Sequence, residues 1–123
     1  MSSAPALANA PFRLPTEPAP TELVAKYFRA LGDPTRLYIL ELLRREELSV
    51  GELVDRVGAA QPKVSNHLAC LRWCGFVATR REHRTVYYRL ADERVSELLS
   101  LGRSLLADNA EHVAACGRIE SPC

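Results

Sequence analysis

Apolar residues recur through the middle of the chain at helical spacing, broken at short intervals by glycine, proline and small polar residues. Leu23, Val24, Tyr27, Phe28 and Leu31 define one amphipathic helix, with Thr21 placed to cap it and Gly32 to end it. Asp33-Pro34 restarts the chain, since aspartate caps well and proline suits the first helical position. The helix that follows carries Leu37, Ile39, Leu40, Leu42 and Leu43 and fades over residues 44–47. Ser49 and Glu52 form an S-x-x-E capping box ahead of Leu53, Val54 and Val57. Gly58-Ala59-Ala60 is a tight small-residue connection, and Gln61-Pro62 opens a helix that Gly75 closes. Two short helices joined this way, the second polar and basic near its start, predict a helix-turn-helix.

The period then changes. Residues 76–79 and 85–88 are rich in β-branched and aromatic side chains and predict two strands around a basic tip, residues 80–84. From Asp92 the helical period returns, with Val95, Leu98, Leu99, Leu105 and Leu106 forming an apolar stripe. The order predicts a mainly α fold with a β-hairpin wing, a winged helix-turn-helix. The last helix follows a core that is already complete, so its stripe, with Leu23 and Tyr27 of the first helix, is assigned to a homodimer contact. Residues 1–20 hold five of the eight prolines and are expected to form a disordered Pro/Ala-rich arm. Residues 21–112 are expected to form the DNA-binding and dimerisation domain, and 113–123 a tail.

A length of 123 residues fits one domain, and a hydrophobic fraction of 47% excludes wholesale disorder. No apolar run approaches the ~20 residues needed to cross a bilayer, and the N-terminus lacks the basic start and apolar stretch of a secretory signal. A cytoplasmic protein without a membrane partner is expected, its four cysteines reduced or bound to metal. Net charge is only +1, but residues 61–90 hold six bases against Glu82 alone. That concentration suits contact with phosphates of double-stranded DNA. Gln61, Lys63, Ser65, Asn66 and His67 are the candidate base-reading groups, with Arg80, Arg81, His83 and Arg84 at the backbone. Trp73 is expected to pack between the reading helix and the wing. No nucleophile–base pair, phosphate loop or open zinc site points to an enzyme.

Cys70 and Cys74 lie one turn apart on the reading helix, hence on one face. Taken alone, such a pair is more often a buried apolar element than a ligand set. Cys116 and Cys123 near the C-terminus tip the balance toward a ligand set. Three thiolates favour soft ions such as Cd(II), Pb(II), Hg(II) or As(III). Cys123 is a fourth thiolate, a spare scavenging thiol or without a role, and His112, one turn before Cys116, offers a nitrogen. Two alternatives stand beside a metal switch: thiol oxidation on the same fold, and a DNA-binding module whose cysteines are inert.

Several spaced blocks together resemble the ArsR/SmtB family of metal-sensing repressors. They are Leu31-Gly32-Asp33-Pro34-Thr35-Arg36, the run from Gln61 through Val64, Ser65, His67 and Leu68 to Leu71, Gly75-Phe76-Val77, and Val86-Tyr87-Tyr88-Arg89-Leu90. The resemblance spans roughly residues 22–112 and implies a homodimer that holds operator DNA without inducer and releases it when inducer binds. One family metal site uses a cysteine pair at the start of the helix preceding the reading helix, where this chain has none over residues 48–53. Another uses Asp and His on the last helix, where the matching positions are Asp92, Arg94, Leu105 and Asp108. The string Ser65-Asn66-His67-Leu68-x-Cys70-Leu71-Arg72-x-Cys74-Gly75 resembles the CmtR-type cadmium- and lead-sensing branch. That resemblance implies a third thiolate from the partner's tail, a role open to Cys116.

Overall fold

The computed structural model describes residues 19–119. Of the arm expected over residues 1–20, residues 1–18 lie outside them, as does the candidate ligand Cys123; Pro20 already belongs to the first helix.

Helix α1 spans Pro20–Ala30, with Pro20 in its first turn and Ala19 as the cap. Thr21, expected to cap, sits inside the helix; the Ala19 N–H instead donates to Glu22 Oε1 at 3.1 Å. Helix α2, Pro34–Leu43, is capped by Asp33, whose Oδ1 accepts from the Thr35 and Arg36 N–H groups at 2.8 and 3.1 Å. Helix α3 is Val50–Val57 and starts on the predicted capping box, Ser49 Oγ accepting from Glu52 N–H and Glu52 Oε1 from Ser49 N–H. Gly58 ends it at φ 76°, a conformation costly for any residue with a Cβ. Helix α4 is Gln61–Trp73. Gly75 at φ 86° turns the chain out of it while Phe76 N–H bonds back to Leu71 O at 2.9 Å.

The wing consists of β2, Val77–Glu82, and β3, Thr85–Leu90, paired antiparallel with Arg80 opposite Tyr87. Its turn is shorter than expected. Only His83 and Arg84 lie between the strands, and His83 takes φ 58°. Arg80 and Arg81 therefore belong to the strand rather than the tip. A further strand, β1, Leu48–Ser49, adds to β3 and gives the order β1-β3-β2. Two residues carry too little periodicity to announce a strand. Helix α5, Glu93–Ala115, is capped by Asp92 and runs three residues past the boundary expected for the tail.

The core gathers Ile39, Leu40, Leu53, Val64, Leu68, Leu71 and Phe76, all with 0% exposure. Burial of each such side chain contributes roughly 1.5–3 kcal/mol. Tyr27 of α1 stacks on Phe76 with ring centroids 4.6 Å apart. Val95 and Leu99 also belong to this core, which corrects their assignment to a surface stripe. The first turns of α5 complete the protomer, so the core is not closed without them. Every residue from Ser100 to Ala115 is exposed, so the rest of α5, about 24 Å long, rests on no core of its own.

Candidate nucleic-acid interface and thiol pair

Val64, Leu68 and Leu71 fix α4 against the core and leave Gln61, Lys63, Ser65 and Asn66 exposed. Those four predicted reading residues share the open side of the helix. His67 does not. Its side chain is only 14% exposed, and Nε2 lies 4.0 Å from Asp33 Oδ1. His67 sits between the core face and the solvent face and reaches the α2 cap, which corrects its expected place among base-reading groups. Trp73 departs from expectation in the other direction. Instead of packing under the wing it is 92% exposed, because its position on the helix points away from Val64, Leu68 and Leu71.

On the wing, Arg81, His83 and Arg84 are exposed. Arg80 is committed elsewhere. Its Nε donates to Glu47 Oε1 at 2.8 Å and its Nη1 to Glu82 Oε1 at 2.9 Å, with the guanidinium 4.8 Å above the Tyr87 ring. These two carboxylates raise the guanidinium's proton affinity further and neutralise the charge expected to face phosphate. Glu47 carried no sequence signal for this role; its partner is fixed only once β1 joins β3.

Cys70 and Cys74 both half-bury against the core. Cys74 is the C-cap of α4, and its thiol is pushed up by burial first, then by the charge and hydrogen bond of Cys70. The cations of Arg36 and Lys26 partly offset that rise. Arg36 is anchored, its Nε donating to Ala30 O at 2.7 Å. The two half-buried thiols thus lie one turn apart on the flank of α4, with the anchored Arg36 among the cations that act on Cys74. Cys116 caps the far end of α5, half-buried. Among the described residues no three His, Cys, Asp or Glu side chains of one protomer converge as a metal site. Neither His112 nor Cys116 therefore completes the pair within one protomer.

An apolar groove of about 470 Å³ runs between α1, α2 and α5, lined by Phe28, Leu31, Leu37, Leu98, Gly102 and Leu106 among others. Leu23, Tyr27, Leu105 and Leu106 stand exposed at 40–58%. Beside the groove, Glu41 binds Arg103 Nε at 2.7 Å and Arg44 Nη1 at 3.2 Å. Burial alone would raise the Glu41 carboxyl, but hydrogen bonds from Arg103 and Arg44 outweigh it and hold the group below its ordinary value. Arg44 also reaches Ser96 and Ser100, pinning α5 to α2. Among the described residues no helix is long and apolar enough to cross a membrane.

Residues 33–79, from the α2 cap into β2, match the bacterial regulatory proteins of the arsR family. A probable mercury resistance operon repressor of Streptomyces lividans is 45% identical over 98 residues, covering 80% of this chain and 78% of that one. The chain belongs to the ArsR family. The HTH-type regulator CmtR of Mycobacterium bovis is 43% identical over 76 residues, 62% of this chain and 64% of its own length. Among solved structures, Rv0081 of Mycobacterium tuberculosis superposes with a TM-score of 0.74 at 38% identity, over 81% of this chain and all of its own. A homodimeric winged helix-turn-helix DNA-binding domain from Mycobacterium bovis gives 0.69 at 30% identity, over 80% of this chain and 95% of that one. This ArsR-family chain is a transcriptional regulator of winged helix-turn-helix architecture and not an enzyme.

Proposed function

We propose that this protein is a homodimeric repressor that holds operator DNA in its reduced, metal-free form and releases it on taking up a thiophilic ion. Cys70, Cys74 and the partner subunit's Cys116 are the ligands of this reading, with Cys123 a further thiol for the same ion. Cd(II) or Pb(II) is the inducer favoured, with Hg(II) and As(III) in the same chemical class. The observation that carries it is the placement of two half-buried thiols, Cys70 and Cys74, one turn apart on the flank of α4. Two soft donors lie there on the reading helix itself, with Arg36 and Lys26 offsetting the negative charge that thiolates bring. Among the described residues no third donor joins the pair within the protomer, and α5 carries Cys116 beyond the core; both support a site shared between subunits.

In this reading Gln61, Lys63, Ser65 and Asn66 meet the major groove, and Arg81, His83 and Arg84 meet the backbone. Exposed apolar groups of α1 and α5 close on the second copy. Bound metal supplies a strong tie between soft ligands, and the residues do the rest. Cys70 and Cys74 transmit that tie to α4, and the α5 end of the partner is drawn toward it. Emptying an operator needs on the order of 5 kcal/mol of coupling, and DNA must weaken metal uptake by the same factor.

Titrating the reduced protein with Cd(II), with thiolate-to-metal absorption and labelled-operator anisotropy read together, tests this. Saturating absorption that parallels DNA release and disappears in Cys70→Ser supports it. Operator binding indifferent to Cd(II) sinks it.

A further inference from the structure

Trp73 is the chain's only tryptophan and stands 92% exposed. A bare indole of this size is not explained by anything it touches within the protomer. Its direction is set by helix geometry. Successive residues turn by about 100°, so Trp73, seven after Asn66, lies within about 20° of it and about 10 Å farther along α4. Ala69 falls on the same stripe and is exposed, while Val64, Leu68 and Leu71 occupy the opposite side. The indole therefore extends the face that carries Asn66.

Two observations choose the occupant. The groove and exposed apolar groups suited to a second copy lie on α1, α2 and α5, and Trp73 lines none of that groove. Helix α4 itself contains no carboxylate, and Lys63 and Arg72 are both exposed on it, which makes its open side attractive to anions. The indole N–H is a donor with no acceptor function, matched to a phosphate oxygen, and its ring offers an apolar body to deoxyribose. The carbonyl end of a helix repels phosphate; Arg72 supplies the compensating charge there.

We propose that Trp73 is a contact to the duplex DNA backbone, its indole closing on phosphate and sugar at the far end of the reading face. It fixes register and carries no base preference. Because Trp73 directly precedes Cys74, any movement of the thiol pair also shifts this anchor. The inference rests on the reading that α4 enters the groove.

The test uses the full-length, reduced, metal-free protein and a duplex it selects from a random pool. Acrylamide quenching of the single tryptophan should fall severalfold when the duplex is added. Trp73→Ala should weaken binding about tenfold, the value of one hydrogen bond to a charged group, and by the same factor on selected and random duplexes. Trp73→Phe, which keeps a ring and loses the N–H, should fall between. Unfolding midpoint and sedimentation should not change, since the side chain touches no core. Quenching unaltered by DNA, or wild-type affinity in Trp73→Ala, overturns the inference. So does shielding that appears with protein concentration alone, because the occupant is then a second copy. Asn66→Ala separates the two levels. If it loses the preference for the selected duplex while Trp73→Ala is silent, only the tryptophan contact falls. If both variants are silent, the reading of α4 falls with it.

Discussion

The His67 imidazole and the Asp33 carboxylate approach to 4.0 Å, Nε2 to Oδ1, joining the reading helix to the residue that caps α2. At that separation the contact is one of packing rather than a hydrogen bond. His67→Ala should then cost about 1 kcal/mol of stability and leave base preference unchanged. Asp33→Ala should cost at least as much, because the α2 cap goes with it. Chemical denaturation combined with selection from random duplexes checks both, and altered base preference in His67→Ala would return that residue to the DNA surface.

The wing arginines should divide into two classes. Arg81→Ala and Arg84→Ala should weaken all duplexes alike and each reduce the salt slope by about 0.9. Arg80→Ala should change the slope little, because Glu47 and Glu82 already neutralise that guanidinium. Glu47→Gln should strengthen non-specific binding and steepen the slope by releasing it. Binding isotherms across a salt series give all four values.

A shared metal site makes a specific demand on mixed dimers. Cys70→Ser and Cys116→Ser homodimers should each fail to release operator on Cd(II) addition. Dimers mixing one of each should regain one complete site and a partial response. If the mixture stays silent while wild type responds, the ligands come from one chain, and sharing across subunits is refuted.

Phe76 is fully buried and stacked on Tyr27. Phe76→Ala should cost about 3–5 kcal/mol, a large part of the 5–15 kcal/mol typical of a domain. Loss of a cooperative thermal transition at ambient temperature is the expected result, and a shift under 1 kcal/mol would contradict the packing.

Acid should act through Asp92. Hydrogen bonds from the Arg94 side chain and backbone hold its carboxyl down at about 2, against an ordinary 3.8. A depressed carboxyl contributes stability above its unfolded value and loses it as pH falls through the folded one. Asp92→Asn keeps a capping side chain but removes the charge. Wild type should therefore exceed this variant slightly at pH 5, with the gap closing between pH 4 and 2 and shrinking with salt.

The helices, the α3 capping box and the wing were legible because each has a local cause: a cap, a period or a turn residue. The placement of Cys70 and Cys74 one turn apart followed from spacing, and the open face of α4 was read correctly at Gln61, Lys63, Ser65 and Asn66 but not at His67 or Trp73. What stayed hidden depends on contacts between elements distant in sequence. β1 exists because Leu48 and Ser49 find Tyr88 and Tyr87. Arg80 is engaged because Glu47 arrives with that strand, and His67 turns inward because Asp33 meets it from α2. Val95 and Leu99 show the same limit: an apolar stripe does not say which of its residues the chain's own core will claim.

The short strand β1 has a mechanical consequence. It belongs to the segment that leads directly into α3, yet it is stitched to the inner wing strand, with Arg80 and Glu47 as a second stitch beside it. Wing and the helix-turn-helix that α3 opens are therefore riveted into a single stiff tool. An inducer gripping such a tool has little to gain by bending it. On the proposed reading its leverage lies in the angle and spacing at which two of them are held, and release follows when the pair no longer fits the pitch of the duplex.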